Sequence, residues 1–167
     1  MRNSLLALSL AFLIRAPDAV CATTSSTPAA PYLGSCSYYD HLSAALSCPA
    51  DGYLLSFGAR YCKKFERDMS RFTRAGWETV SAIRFCLQQK LEATRELSCA
   101  NVGAVGTASH VDCYVEGGFC EMDFWDSAAL TSVVWPALLT SEMSGVPAQV
   151  ERECLTRRHS DRASRID

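Results

Sequence analysis

The sequence lacks several features that would place the protein in a common functional class. After residue 22 it has no apolar run long enough to span a membrane, so stable membrane insertion is not expected. It has no Cys-x-x-Cys pair, which argues against a zinc site. No basic block is interleaved with aromatic residues and the net charge is −2, so nucleic acid is not an expected partner. The sequence also lacks a regular alternation of apolar and polar residues, which argues against a β-rich fold, and it lacks internal repeats, which argues against a repeat fold.

The N-terminal residues 1–22 have the layout of a secretory signal peptide. Arg2 precedes an apolar run over residues 5–14, and small residues follow, so we expect cleavage after Ala22. The alternative, an uncleaved membrane anchor, is disfavoured because the apolar run is short and ends at Arg15. The protein is therefore expected to be secreted and extracellular.

The rest of the chain divides into three predicted regions. The first is rich in small residues and proline, the second carries helical patterning, and the third is polar. These regions are a flexible leader over 23–35, a disulfide-rich helical domain over 36–156 and a disordered tail over 157–167.

Cysteine is abundant, with nine residues in the chain. Cleavage of the signal peptide removes Cys21 and leaves an even number, which in an oxidising compartment predicts four disulfides and no spare thiol. Spacing alone leaves their pairing open. The cysteines concerned are Cys36, Cys48, Cys62, Cys86, Cys99, Cys113, Cys120 and Cys154.

Apolar residues recur at helical spacing through the first half of the domain. A first helix is predicted from Ser37, and a second follows an expected Asp51 cap. The third has the clearest start, because Thr73 is a natural N-cap and Phe72 can pack on Trp77 as a hydrophobic staple. The pattern predicts an all-α fold, a small disulfide-stapled helical bundle.

The second half is more broken by glycine and proline. "NVGAVGTASH" is predicted to be a loop, and Gly117-Gly118 a turn or helix break. A further helix is expected to start at an Asp126 cap and to kink or end at Pro136. A last short helix is predicted over "PAQVERECL".

Candidate catalytic residues are few. His110, in "SHVDCYVEGG", resembles the catalytic His of secreted phospholipase A2 enzymes, but Val111 stands where their calcium-binding Asp would be. A surface histidine at a helix start is the favoured interpretation. His41 and His159 are isolated in the sequence. We therefore expect no enzymatic activity and no cofactor.

Two other groups of residues have competing interpretations. Glu121, Asp123 and Asp126 could bind calcium weakly, but they lack the order of an EF-hand loop, and helix capping is favoured for Asp126. Trp125 and Trp135 could belong to a partner surface, although packing in the core is the favoured use.

The ordered cysteines and the segments between them resemble the stanniocalcin family of secreted hormone-like glycoproteins. Four intervals between cysteines are shared: Cys62 to Cys86, Cys99 to Cys113, Cys113 to Cys120 and Cys120 to Cys154. The segments "CKKF", "RFTRAGWETV", "CYVEGGFC", "ALTSVV" and "ERECL" match that family's motifs. The resemblance covers roughly residues 36–155, which is most of the predicted domain.

The resemblance implies a disulfide pairing and a function. The implied pairs are Cys36–Cys62, Cys48–Cys99, Cys86–Cys113 and Cys120–Cys154. The implied function is hormone-like signalling in calcium and phosphate homeostasis, through a protein receptor or a secreted protein target. No cysteine follows Cys154, so a disulfide-linked dimer is not expected, and a non-covalent homodimer stays open.

Two alternative functions remain at this point. One is a secreted, calcium-dependent lipid hydrolase of the phospholipase A2 type, centred on His110. The other is a cysteine-rich structural or defence protein, which needs only a stable secreted scaffold.

Overall fold

Helices account for the regular structure of residues 27–163, the part of the chain that the computed structural model describes, and this part has no β-strand. The α-helices are α1 Ser37–Leu46, α2 Arg60–Arg67, α3 Arg74–Glu92, α4 Val102–Ala108, α5 His110–Glu116, α6 Phe124–Leu138 and α7 Val146–Ala163. A π-helical segment, Leu54–Ala59, leads into α2. Single 3-10 turns lie at Ala30–Tyr32, Met69–Arg71 and Phe119–Glu121. The predicted all-α class is confirmed.

None of the helices in the described part is both long enough and apolar enough to cross a membrane. The signal peptide predicted over 1–22 lies outside the described residues, as do the first residues of the predicted leader and the last of the predicted tail.

Four disulfides staple neighbouring elements together. Each joins segments that are distant in sequence, and the Cα atoms of each pair lie 5.2 to 5.5 Å apart. The pairs are Cys36–Cys62, Cys48–Cys99, Cys86–Cys113 and Cys120–Cys154, the same pairs that the stanniocalcin resemblance implies. Cys62 of α2 and Cys86 of α3 therefore bond to different partners and not to each other. The long helix α6 contains no cysteine and has no disulfide.

The hydrophobic core is divided into three clusters around these staples. One lies between α1, the π-helical segment and the end of α3, and includes Tyr38, Leu42 and Leu91. A second lies under α7, and a third joins α2 and α3 to the inner side of α6. Such burial of apolar side chains is the main favourable term for folding.

The start of α3 is built as the sequence predicts. The Thr73 side chain accepts a hydrogen bond from the Gly76 N–H at 3.1 Å, which caps the helix. The rings of Phe72 and Trp77 lie 6.3 Å apart, consistent with the predicted staple.

The start of α6 differs from the prediction. Asp123, and not Asp126, is the N-cap, since its carboxylate accepts from the Asp126 N–H at 2.9 Å. Asp126 is buried instead and reaches across to α3, where it accepts from the Thr73 N–H at 2.8 Å and from Thr73 Oγ1 at 2.5 Å. Asp123 thus caps α6, while Asp126 binds α6 to Thr73, the N-cap residue of α3. Pro136 lies inside α6, which continues to Leu138.

The predicted flexible leader, 23–35, is wrong for the residues that the structure describes. Thr27 hydrogen-bonds the Glu92 carboxylate through both its N–H and its hydroxyl, and Ala29 is fully buried. The buried amide of Gln88 accepts from the Gly34 N–H at 2.6 Å and donates to the Ser35 carbonyl at 2.9 Å. Polar side chains of α3 therefore satisfy the backbone of a segment with little apolar content of its own.

The predicted disordered tail, 157–167, is also wrong where the structure describes it, because α7 continues to Ala163. Two of its arginines attach it to the domain: Arg157 donates to the Val115 carbonyl at 3.3 Å and Arg158 to the Cys120 carbonyl at 3.0 Å. These carbonyls lie at the end of α5 and in the turn that follows it. Polar composition did not reveal these long-range bonds.

The glycine-rich segment predicted as a loop forms α4. Its glycines permit close approach to a neighbouring aromatic ring: a Cβ on Gly106 would lie 2.2 Å from Tyr53 Oη. A Cβ on Gly103, one turn earlier, would lie 3.5 Å from the same side chain, an ordinary contact distance. Of these two positions, only 106 therefore requires glycine for packing.

This difference predicts opposite effects of alanine at the two positions of α4. Gly106→Ala should destabilise the protein by about 1–3 kcal/mol, because Tyr53 must move. The matched control, Gly103→Ala, should stabilise it by up to about 1 kcal/mol through helix propensity. Urea unfolding followed by circular dichroism measures both; equal effects at the two positions would contradict the packing.

Candidate functional site

The helix α6 carries apolar residues on two opposite sides. Its inward side holds Leu130, Val133 and Ala137, which are buried. At 3.6 residues per turn, Trp135 projects about 200° away from Val133, on the far side of the helix. Asp126 is the only charged residue of α6, and it is buried. The outward side therefore offers apolar surface without charge.

We call this outward side the α6 outer face. It consists of Phe124, Trp125, Ala128, Thr131, Trp135 and the adjoining Leu139. The large side chains are strongly exposed: Phe124 is 74%, Trp125 77%, Trp135 56% and Leu139 69% accessible. The expectation that Trp125 and Trp135 pack in the core is therefore wrong, because Val133 and its neighbours already fill the inward positions.

A shallow groove lies on the α6 outer face, with Phe124 at one end and Trp135 at the other. The ring of Phe124 packs edge-to-face on Trp125 at a centroid distance of 5.2 Å, which orders that end. The groove is lined by Phe124, Ser127, Ala128, Thr131, Ser132 and Trp135.

A second candidate site is a cavity in the interior. It has a volume of about 480 Å³ and is bordered by the π-helical segment, α2, α3, α5, α6 and α7. Aromatic side chains such as Phe57, Tyr61 and Tyr114 line it. Its exposed lining residues include Thr131 on α6 and Leu155 and Arg158 on α7, so it opens between these two helices. We call it the α6–α7 cavity.

His110 lies on the wall of this cavity and begins α5, as predicted, but it is not a surface residue. Only 6% of it is exposed, and Nδ1 lies 2.7 Å from the Gly106 carbonyl oxygen. Burial lowers the pKa of His110 below its ordinary value, although hydrogen bonds to backbone carbonyls offset part of this effect. The imidazole is therefore neutral at physiological pH.

The other histidines do not join His110. His41 is exposed and stacks on the Tyr32 ring at 3.5 Å, and His159 is exposed on α7. The acidic residues do not converge either: Asp123 caps α6, Asp126 binds Thr73, and Glu121 is exposed. In the described part of the chain, the three histidines therefore do not form a common site, and neither do the three acidic residues.

Arg84 is a feature that the sequence did not reveal. It is buried, and one guanidinium nitrogen donates to Glu66 Oε1 at 3.0 Å and contacts the sulfurs of the Cys36–Cys62 disulfide at 3.1 and 2.9 Å. Its guanidinium carbon lies 5.6 Å from the Trp77 ring centre. Cys36, Cys62 and Glu66 lie close enough to suggest a metal site, but the two sulfurs are bonded to each other and Arg84 occupies the carboxylate.

Comparison of the chain with protein-family models, with curated proteins and with solved structures gives no match. The resemblance to the stanniocalcin family therefore stays a prediction, and the geometry of the two candidate sites carries the functional argument.

Proposed function

We propose that the protein is a secreted, non-enzymatic signalling protein that acts by binding a protein receptor or a secreted protein target through the α6 outer face. The observation that carries this proposal is the exposure of Trp125 and Trp135 on a charge-free face. Tryptophan is enriched among the residues that dominate binding energy at protein interfaces. The disulfides are compatible with an oxidising, extracellular environment.

The spacing of the exposed residues favours a particular kind of partner. Phe124, Ala128, Thr131 and Trp135 follow the i, i+4, i+7 and i+11 pattern of a helix that lies in a groove of another protein. We therefore expect an apolar, charge-poor groove on the partner. Because α6 has 15 residues and spans only about 22 Å, its outer face alone supplies less than the roughly 800 Å² per partner of a standard interface, and we expect the partner to contact flanking residues as well.

Replacing the two tryptophans should abolish partner binding and leave the fold intact. For Trp125→Ser with Trp135→Ser we expect the Kd for saturable binding of labelled protein to responsive cells to rise by roughly 100-fold or more, since hot-spot residues each contribute about 2 kcal/mol or more. The measurement is competition of labelled wild-type protein by unlabelled variants. Circular dichroism and urea unfolding check the fold.

The matched control is Met69→Ser, which removes an apolar side chain that is 49% exposed in the 3-10 turn before α3. It should compete as well as the wild type. Equal competition by the double tryptophan variant would contradict the proposal. Sedimentation of the wild type as a dimer that the double variant disrupts would instead make the α6 outer face a homodimer interface.

The physiological role that we propose, calcium and phosphate homeostasis, is carried by the stanniocalcin resemblance. It is tested by calcium challenge of cells that lack the gene, with added wild-type and double tryptophan variant proteins. Rescue by the wild type alone supports the role. An unchanged calcium response in cells lacking the gene contradicts it, and leaves the structural or defence function as the alternative.

The lipid-hydrolase alternative rests on His110. Its Nδ1 bonds a backbone carbonyl, where a general base would be oriented by a carboxylate. Calcium-dependent release of fatty acid that is lost in His110→Ala would nevertheless establish that alternative.

A further inference from the structure

The α6–α7 cavity has the size and lining of a small-molecule site. Its volume of about 480 Å³ falls in the range of roughly 300–1,000 Å³ typical of such sites. The wall is made of aromatic and aliphatic side chains, and the exposed residues at its opening give access from solvent between α6 and α7. A mostly apolar molecule would gain free energy by leaving water for this space.

Two polar atoms on the wall offer hydrogen bonds to a ligand. Because a carbonyl oxygen can only accept, His110 Nδ1 donates its proton to the Gly106 carbonyl, and Nε2 of the neutral ring is left as an acceptor. Arg84 also lines the cavity, and its buried Nε–H has no partner in the described part of the chain. Unpaired polar groups in an apolar wall are costly unless a ligand satisfies them.

The charge balance of the wall determines which ligands fit. The charge of Arg84 is already compensated by the Glu66 carboxylate at 3.0 Å, and His110 is neutral because of its burial. At the opening, Arg158 is accompanied by Glu151. Among the described residues of the interior wall, the cation that a buried carboxylate would meet is Arg84, whose charge Glu66 already compensates, so the desolvation of the carboxylate would oppose binding.

We propose that the α6–α7 cavity binds a neutral, largely apolar small molecule that carries a hydroxyl group, which donates a hydrogen bond to His110 Nε2. The opening of the cavity borders the α6 outer face, since Thr131 belongs to both, but His110 lies in the interior, so the proposal goes beyond the proposed protein-binding function. The shared chemistry is that of a long-chain alcohol or a hydroxylated ring compound such as a sterol.

The test is a calorimetric titration of the protein with three probes that share a chain of ten carbons: 1-decanol, decyl methyl ether and decanoate. We expect saturable binding of 1-decanol with a stoichiometry of one. Its affinity should exceed that of the ether, which cannot donate a hydrogen bond, by about three- to tenfold. It should exceed that of decanoate by at least tenfold, because the charge must be desolvated. A parallel titration with cholesterol shows whether the ring compound or the chain is preferred.

Two variants isolate the role of His110. His110→Phe keeps an aromatic ring but removes the acceptor, so the preference for 1-decanol over the ether should disappear. His110→Gln keeps an acceptor and should retain part of that preference. If His110→Phe does not fold, the comparison of the three probes on the wild type still tests whether the cavity prefers the alcohol.

The proposal is overturned if 1-decanol gives no saturable binding, if the ether or decanoate binds as tightly, or if His110→Phe keeps the full preference for the alcohol. Binding of labelled protein to cells by the same variants separates this site from the protein-binding one. A His110 variant that loses the alcohol preference but still binds cells shows that the two sites are independent.

Discussion

Replacing Cys48 and Cys99 together by alanine is expected to lower the free energy of unfolding by about 4 kcal/mol. This disulfide closes the longest loop of the four, with a sequence separation of 51, and loop-closure entropy of the unfolded chain grows with loop length. Cys99 is exposed and Cys48 partly so, so the substitution leaves no large buried hole. The loss should therefore come almost wholly from the unfolded state.

The Cys86–Cys113 pair provides the informative comparison. Its separation is 27, so loop closure alone predicts a smaller loss of about 3.5 kcal/mol. Cys113 is fully buried, however, and the alanine variant should lose a further amount of about 1 kcal/mol or more from the cavity. Cys21→Ala serves as the control, because the signal cleavage predicted after Ala22 removes this residue from the mature protein.

Urea unfolding of the oxidised proteins measures the stability of all three variants. A loss below about 1 kcal/mol for the Cys48–Cys99 variant would contradict the stapling role of this disulfide. A large effect of Cys21→Ala would contradict the predicted cleavage site.

Asp126→Ala is the second substitution with a large expected effect. It should lower the free energy of unfolding by about 3–5 kcal/mol. The buried carboxylate accepts from both the N–H and the hydroxyl of Thr73, and hydrogen bonds to charged groups contribute about 1.5–3 kcal/mol each. Alanine would leave these donors unpaired at the junction of α3 and α6. The fit is tight, since a Cβ on Gly76 would lie 2.1 Å from the Asp126 carboxyl carbon.

Two control variants separate the parts of this junction. Asp126→Asn keeps one acceptor oxygen but faces a donor with its amide, so an intermediate loss is expected. Asp123→Ala removes only the cap of α6 and should cost about 1 kcal/mol. Equal losses for the three variants would show that Asp126 contributes no more than an ordinary helix cap.

The same junction predicts a pH dependence. Burial alone would raise the pKa of Asp126, but the hydrogen bonds from Thr73 outweigh it, and the pKa lies below the ordinary value of 3.8. A carboxyl with a lowered folded-state pKa stabilises the fold fully above its unfolded-state pKa and loses this contribution as the pH falls through the folded-state pKa. The stability difference between wild type and Asp126→Asn should therefore be constant near neutral pH and narrow below about pH 4.

Local signals in the sequence predicted much of the fold. The Thr73 cap, the Phe72–Trp77 staple and the break at Gly117-Gly118 depend on residues a few positions apart, and the structure contains all three. The helical class followed from such signals. The pairing of the cysteines did not, because spacing permits many connectivities; it came from the resemblance.

Features that depend on distant residues could not be read in this way. The segment before Cys36 is held by hydrogen bonds to Gln88 and Glu92, and glycine is required at position 106 because Tyr53 packs against it. Each partner lies about fifty or more positions away, beyond any local pattern.

The α6 outer face was missed for a different reason. Apolar residues occur on both sides of this helix, so periodicity cannot tell which side is buried. The buried side is set by tertiary packing, because α2 and α3 cover Leu130 and Val133. The exposed tryptophans are then the residues left without a neighbouring helix.

The central claim is that four specific disulfides hold this helical domain together, and a peptide map of the unreduced protein tests it most directly. Proteolysis of the native protein without reduction, followed by mass spectrometry, should yield linked peptides for Cys36–Cys62, Cys48–Cys99, Cys86–Cys113 and Cys120–Cys154, with no free thiol. A peptide linking Cys62 to Cys86, or free thiols at any of the eight positions, would contradict the account.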